Sequence, residues 1–316
     1  MTLGLIFHSI GIITLMITIG VILSRTFHFN EDTRNVFVSL IVNVGMPCII
    51  LSSILQVEID GDLLQKILLV FILSIGINVL GIGIGYLFAV VFHKNVDRAK
   101  ELAILSGLGN TGFIGIPLCA VLLGPEGALY AAMFDAGVDF TIWTVGALML
   151  QKDRQIGLGM LRTMINPPII AIIVGVSMAL FNYRPPFLIQ DLFDRLAAIA
   201  APLAMFYIGI MMMNLFQTKS VRGLQRSRST LWLPMTVKLI LLPIFAVLIG
   251  KTLSLNLVMQ QTLLIQAAMP TLTLSSILFA KYSADEEMGV ITTIVSTLAA
   301  LLTIPVMIYL LNLLVL

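Results

Sequence analysis

The sequence is poor in charge: only 11% of its 316 residues are Asp, Glu, Lys or Arg, against about 25% in soluble domains. With 59% hydrophobic residues and a mean hydropathy of +1.06, a chain of this length cannot hide its apolar surface in one aqueous core. Cysteine is scarce too, and two residues build neither a disulfide framework nor a cysteine metal cluster. Cys48 and Cys119 lie in apolar stretches, each within two residues of a proline, and read as small buried thiols. The three histidines, His8, His28 and His93, lie near the ends of apolar stretches or in loops, without ligand spacing. No hydrophilic stretch is long enough for a soluble catalytic domain. Catalysis would need a nucleophile and base, or metal ligands, inside the membrane; no such set appears, so an enzyme is not expected.

What is abundant is long apolar sequence. A helix crosses a hydrocarbon core of about 30 Å with roughly 20 apolar residues, and backbone in lipid must satisfy its own hydrogen bonds, which selects helices. Ten such spans are predicted, at 5–24, 35–56, 64–92, 101–123, 127–150, 164–181, 192–216, 230–250, 256–280 and 288–314. The expected fold is therefore an all-α polytopic membrane protein. The first stretch lacks a basic leader region and an A-x-A-like cleavage site and precedes Arg25, so it reads as a retained helix.

Ten spans put both termini on one side, and basic residues in the loops tell which. One alternating set of loops holds thirteen: Arg25, Arg34, Lys94, Arg98, Lys100, Lys152, Arg154, Arg162, Lys219, Arg222, Arg226, Arg228 and Lys281. The opposite set holds four, Lys66, Arg184, Arg195 and Lys251. The richer set belongs in the cytoplasm, which leaves both termini outside it, in the inner or plasma membrane. The run from Lys219 to Arg228 reads as one of these loops, so no nucleic-acid partner is expected.

Prolines recur at matched positions. Pro47, in Asn43-Val44-Gly45-Met46-Pro47, and Pro202 are 155 residues apart, and Pro117 and Pro270 are 153 apart. Nearly equal offsets suggest two five-helix halves, 1–150 and 164–316. Five is odd, so the second half enters from the opposite face, as an inverted repeat. Interrupted helices at corresponding positions, here the fourth and ninth spans, point to a mid-membrane binding site.

The fourth span gives the sharpest signal. Gly109-Asn110-Thr111-Gly112, followed by Gly115 and Pro117, favours an unwound helix, since each glycine costs about 1 kcal/mol of helix propensity. A half-helix resuming there presents free N–H groups and a positive dipole end to an anion. Asn110 and Thr111 add side-chain hydrogen bonds, and Thr271, Thr273, Ser275 and Ser276 can do so from the ninth span, although Ser and Thr also serve as ordinary packing residues in membranes.

Asp135 and Asp139 share one face of the fifth span. A carboxylate there costs at least about 2.5 kcal/mol unless paired or solvated, and marks an ion or proton path. Lys238 in the eighth span is the one intramembrane cation expected. At about 1.5 Å per residue, Asp139 and Lys238 reach comparable depths, roughly 20 Å from Glu126 and about 13 Å from Ser229. The three are expected either to couple transport to a proton or sodium ion or to form a static ion pair. Asn78 lies among Gly76, Gly81, Gly83 and Gly85; with no strand before them, Gly81 and Gly85 read as a close helix-packing face rather than a dinucleotide motif. No cofactor is expected.

Ten spans, the Asn-x-Gly-x-Pro stretch and Gly-Asn-Thr-Gly-Phe-Ile-Gly-Ile-Pro-Leu from Gly109 to Leu118 together resemble the auxin efflux carrier family over essentially the whole chain. That family includes the plant PIN-type carriers and bacterial malate and malonate permeases. The resemblance implies a fold like that of bile acid sodium symporters, with spans four and nine broken where they cross beside the substrate. It also implies a scaffold of spans 1, 2, 6 and 7 against which spans 3, 4, 5, 8, 9 and 10 move as an elevator. Carried over, Asn110, Pro117 and Pro270 belong to the crossing. Plant members carry a longer central hydrophilic loop than residues 151–163 here, which argues for a prokaryotic type and against auxin itself. The expected activity is secondary transport of a small organic anion, with the lipid bilayer and a homodimer as surroundings. A sodium symporter of bile-acid type and a transporter-like sensory receptor are the competing readings.

Overall fold

The computed structural model describes residues 3–27, 30–57, 61–92, 95–151, 165–181, 183–217, 231–273 and 275–315. Apolar runs with few charges become helices throughout: α1 (Leu3–Leu23), α2 (Asp32–Gln56), α3 (Gly61–Phe92), α4 (Val96–Gly107), α5 (Thr111–Leu150), α6 (Pro167–Leu180), α7 (Phe187–Gln217), α8 (Leu231–Thr252), α9 (Leu257–Ala267), α10 (Ser275–Lys281) and α11 (Glu286–Val315). Among the described residues, α2, α3, α5, α8 and the Phe187–Met211 part of α7 are long and apolar enough to cross a membrane. Asparagines start several helices: Asn30, Asn95, Asn166 and Asn256 each accept a backbone N–H of the first turn, satisfying donors that would otherwise be orphaned.

Two predicted spans are not continuous. The fourth is interrupted between α4 and α5, and the ninth is divided into α9 and α10. Conversely, α5 joins the rest of the fourth span to the fifth in one helical run, kinked at Gly124, whose φ of 73° and ψ of −162° suit only glycine. Most of the basic residues that set the expected orientation, Lys94, Lys152, Arg154, Arg162, Lys219, Arg222, Arg226 and Arg228, lie outside the described residues, as do His28 and His93.

Among the described residues three helices widen locally into four π turns, at Leu40–Gly45 in α2, Thr111–Gly115 and Ile142–Gly146 in α5, and Val237–Leu241 in α8. Three of these end two residues before a proline: Pro47, Pro117 and Pro243.

The chain divides into two compact units. The first comprises residues 1–69, 112–133 and 165–218. Within it α1 packs on α7 through glycines, since a Cβ on Gly20 would fall 2.2 Å from the Phe206 carbonyl oxygen and one on Gly209 2.0 Å from that of Ile17. Such close approach is how membrane helices gain dispersion contact when lipid offers no hydrophobic drive. The pair α2 and α7 runs antiparallel. Phe37 meets Tyr207 with ring centres 6.1 Å apart, Gly45 faces Ala200, and Ser52 donates to Asp194 at 2.5 Å. Tyr207 also packs on Phe113, 4.9 Å away.

The second unit comprises residues 70–111, 134–164 and 219–316. Here α3 lies against α4 through Gly81 and Gly85, where added Cβ atoms would approach Gly107 Cα to 2.9 Å and Ser106 Cβ to 2.6 Å. Gly76 and Gly83 face open space, so the packing face is the one expected from the Gly81-to-Gly85 spacing. Ser74 donates to the Phe134 carbonyl at 2.6 Å and receives Asn78 Nδ2 at 3.1 Å. That polar clamp ties α3 to α5 one residue before Asp135, and it is where Asn78 is used.

Candidate functional site

The second unit holds the two helix interruptions, and they meet. After Gly107 the chain is extended through Leu108, Gly109 and Asn110 before helix resumes at Thr111. From Ala268 to Thr273 the chain is off the helical path, and helix is present again at Ser275. Each interruption strands N–H and C=O groups, which a low-dielectric interior does not tolerate. They satisfy one another: Gly109 and Thr271 pair as a short antiparallel bridge, Asn110 N–H donates to the Pro270 carbonyl at 2.8 Å, and Leu272 N–H to that of Leu108 at 3.2 Å. Pro270 has no N–H to lose, so it fits a position where only its carbonyl is used.

Side chains from α11 take up what the bridge leaves. Ser296 Oγ accepts the Thr271 N–H at 3.0 Å, and Thr293 Oγ1 donates to the Leu272 carbonyl at 3.0 Å. Thr271 Oγ1 donates to the Leu105 carbonyl at 3.2 Å, and Ser275 Oγ lies 3.2 Å from Thr293 Oγ1. Thr271 and Ser275 are fully buried, so their hydroxyls brace the crossing. Asn110 Nδ2 donates to Thr273 Oγ1 at 2.7 Å; Asn110 is 7% exposed and Thr273 half-buried. The side chain of Ser276 lies outside the described residues.

The charges sit at the interruption. Lys238 is fully buried in the π turn of α8, its Nζ 3.5 Å from the Gly107 carbonyl oxygen that ends α4. A cation at a helix C-terminus meets the negative end of the dipole. Gly109 leaves room for it, since a Cβ there would lie 2.6 Å from Lys238 Cε and 2.8 Å from Nζ. On the other side of the interruption, Thr111 Oγ1 donates to Asp135 Oδ1 at 2.5 Å, setting a carboxylate beside the start of α5, where the dipole is positive. Asp139, one turn further along α5, is half-buried.

Asn110, Thr111, Pro270, Thr271, Thr273, Asp135 and Lys238 thus gather around one crossing in the second unit. Gly112 and Pro117 are buried members of the first unit. Pro117 lies inside the resumed helix rather than in the interruption, because the π turn before it absorbs the missing hydrogen bond. Sequence reasoning did not single out Ser296, Thr293 or the Ser74 clamp. The spacing of Thr293 and Ser296, three apart in an apolar span, was the available signal. Among the described residues no group of three His, Cys, Asp or Glu side chains could hold a metal ion.

A family model described as "Membrane transport protein" matches residues 5–308. Three relatives align over nearly their whole length. An "Uncharacterized transporter" of Methanothermobacter thermautotrophicus is 23% identical, covering 93% of this chain and 94% of its own. A "Putative malonate transporter" of Rhizobium meliloti is 24% identical, covering 98% and 95%. An "Uncharacterized transporter" of Methanocaldococcus jannaschii is 21% identical, covering 93% and 94%. With several long apolar helices and a family match running almost end to end, the chain is a multi-pass membrane transporter, not an enzyme, and belongs to the membrane transport protein family of the auxin efflux carriers.

Proposed function

We propose that the protein is a secondary carrier of a small organic anion, a mono- or dicarboxylate such as malate or malonate. The crossing of the two interrupted segments carries this reading. Interrupted membrane helices that meet are a substrate site because they bring hydrogen-bonding backbone and polar side chains to a depth where lipid otherwise excludes them. Asn110, Thr111 and Thr273 contact the anion, while Gly112, Pro117, Pro270 and Thr271 shape the backbone around it. The Rhizobium meliloti relative carries malonate in its name, which favours a dicarboxylate over auxin-like acids.

Movement is of the elevator type, by alternating access. The division of the chain supports it in part: the first unit contains α1, α2, α6 and α7, the helices of the scaffold, together with residues 112–133 of α5, and the second contains α4, α8, α9, α10, α11, most of α3 and the end of α5 from Phe134. An inverted repeat rests on the matched prolines, Pro47 with Pro202 and Pro117 with Pro270, at offsets of 155 and 153 residues. Asp135, Asp139 and Lys238 couple the movement to a proton or sodium ion. Both termini lie outside the cytoplasm, and a homodimer is the expected assembly.

Uptake by proteoliposomes tests this. Labelled malate, malonate, succinate, short monocarboxylates and indole acetate are offered under imposed pH or sodium gradients, and saturable uptake of a dicarboxylate is the expected result. No uptake across the panel would sink the reading. Sodium-dependent uptake of a bulky amphipathic anion instead would favour a bile-acid type symporter.

A further inference from the structure

The first half of α2 carries polar residues that the crossing does not use. Asp32, Asn35, Ser39 and Asn43 are all exposed, and their spacing of three or four residues sets them along one side of the helix. Beside them runs an apolar stripe, Val36, Leu40 and Val44, exposed to 57%, 47% and 36%. The pattern stops at Gly45; of the residues after it, Met46, Cys48, Ile49, Ile50, Ser52, Ser53 and Ile54 are buried.

Depth makes this unusual. Asn43 lies eight residues beyond Asn35, where the second span is expected to begin, about 12 Å at 1.5 Å per residue and well over a third of a hydrocarbon core of about 30 Å. Asn43 Nδ2 donates to Ser39 Oγ at 2.9 Å. A carboxamide has a second N–H and an acceptor oxygen besides, and hydrocarbon satisfies neither. A stripe of exposed amides and hydroxyls at this depth therefore needs water beside it, whereas the neighbouring Val, Leu and Val suit lipid.

We infer that Asp32, Asn35, Ser39 and Asn43 line a water-filled vestibule running from the membrane face where α2 begins to mid-membrane, with Asn43 at its floor and Val36, Leu40 and Val44 as its lipid-facing edge. Below Asp32 the stripe bears no charge, so it solvates a hydrated carboxylate without holding it. The vestibule's purpose rests on the carrier reading; its hydration does not.

Cysteine accessibility tests it. In reconstituted protein bearing Cys48→Ala and Cys119→Ala, single substitutions Asn35→Cys, Ser39→Cys, Asn43→Cys, Val36→Cys, Leu40→Cys and Val44→Cys are exposed to a charged, membrane-impermeant thiosulfonate. The three polar-stripe positions are expected to react at least about tenfold faster than the three apolar ones, because only they meet water. Both native thiols are buried, so the substitutions can be read against the unaltered chain as blank should the double alanine variant fail to fold. Equal unreactivity at all six positions overturns the vestibule. So does oxidative cross-linking of two copies through Ser39→Cys or Asn43→Cys, which would make this face a contact between copies. Labelling without any anion uptake would retain the vestibule and remove the carrier reading; uptake without labelling would do the reverse.

Discussion

At Pro47, Pro117 and Pro243 the helix continues; at Gly109 and Pro270 it stops. A proline ring strikes the carbonyl four residues back, and those carbonyls belong to Asn43, Phe113 and Leu239, each inside a π turn. Widening the turn moves the carbonyl aside and keeps the helix whole. Pro202 and Pro305 lie within α7 and α11 without such a turn, so the device is one accommodation among several. At the crossing there is no local accommodation. The orphaned groups are paired with a distant segment, and that exchange makes a crossing where a π turn makes only a bend.

The largest expected effect comes from filling the space that the crossing needs. Gly109→Ala would bring a methyl to 2.6 Å from Lys238 Cε and 2.8 Å from its Nζ, so this fully buried side chain must shift from its place at the crossing. Uptake should fall by at least about tenfold, with overpacking costing about 1–3 kcal/mol of stability. Adding Lys238→Ala should restore much of the thermal stability, since the clash is pairwise. If the single variant transports normally, the crossing is looser than its geometry and the contrast with the proline bends weakens.

Next comes the charge set. Asp139→Asn should leave insertion intact and abolish the response of uptake to imposed pH or sodium gradients. Asp135→Asn should do the same and also weaken the bond from Thr111, by about 1.5–3 kcal/mol for a charged acceptor. Transport that responds to both gradients as before would reduce Asp135, Asp139 and Lys238 to fixed complements of the two helix ends. A smaller effect is expected at Asn110→Ala, which removes one neutral hydrogen-bonding group proposed to face the anion. A rise in KM of about tenfold, equivalent to about 1.4 kcal/mol, with kcat little changed would mark it as a binding residue; an unchanged KM would assign it to the bridge alone.

Much of this was legible in the sequence because it is local. Apolar length gives the helices, Gly109 to Gly112 gives the first interruption, and the Gly81-to-Gly85 spacing gives a packing face. What was not legible is set by distant partners. Nothing near Lys238 in sequence announces that a carbonyl ending α4, 131 residues away, receives its ammonium. Nor does the text around Ser296 reveal that its hydroxyl caps a backbone N–H 25 residues earlier. Pro117 and Pro270 look alike as matched prolines, yet one bends a helix and the other lies in a gap, because only the second has an extended segment alongside to take its carbonyl.

The smallest effect should come from the bends themselves. Pro47→Ala restores an N–H that can donate to the Asn43 carbonyl and removes the ring that forced the turn open. The π turn at Leu40–Gly45 is then free to close to α geometry, at a cost or gain of about 1 kcal/mol or less. Closing it, however, rotates everything on one side of the turn by about 100° relative to the other, since one residue is absorbed. Gly45 cannot follow without losing its seat on Ala200, where there is no room for even a Cβ. Packing with α7 therefore holds the turn open after the proline is gone. The melting temperature should move by only a few degrees and uptake should remain near normal. A large loss in either would mean that the ring, rather than the neighbour, fixes the bend, and the distinction between a bent helix and a crossed one would become one of degree.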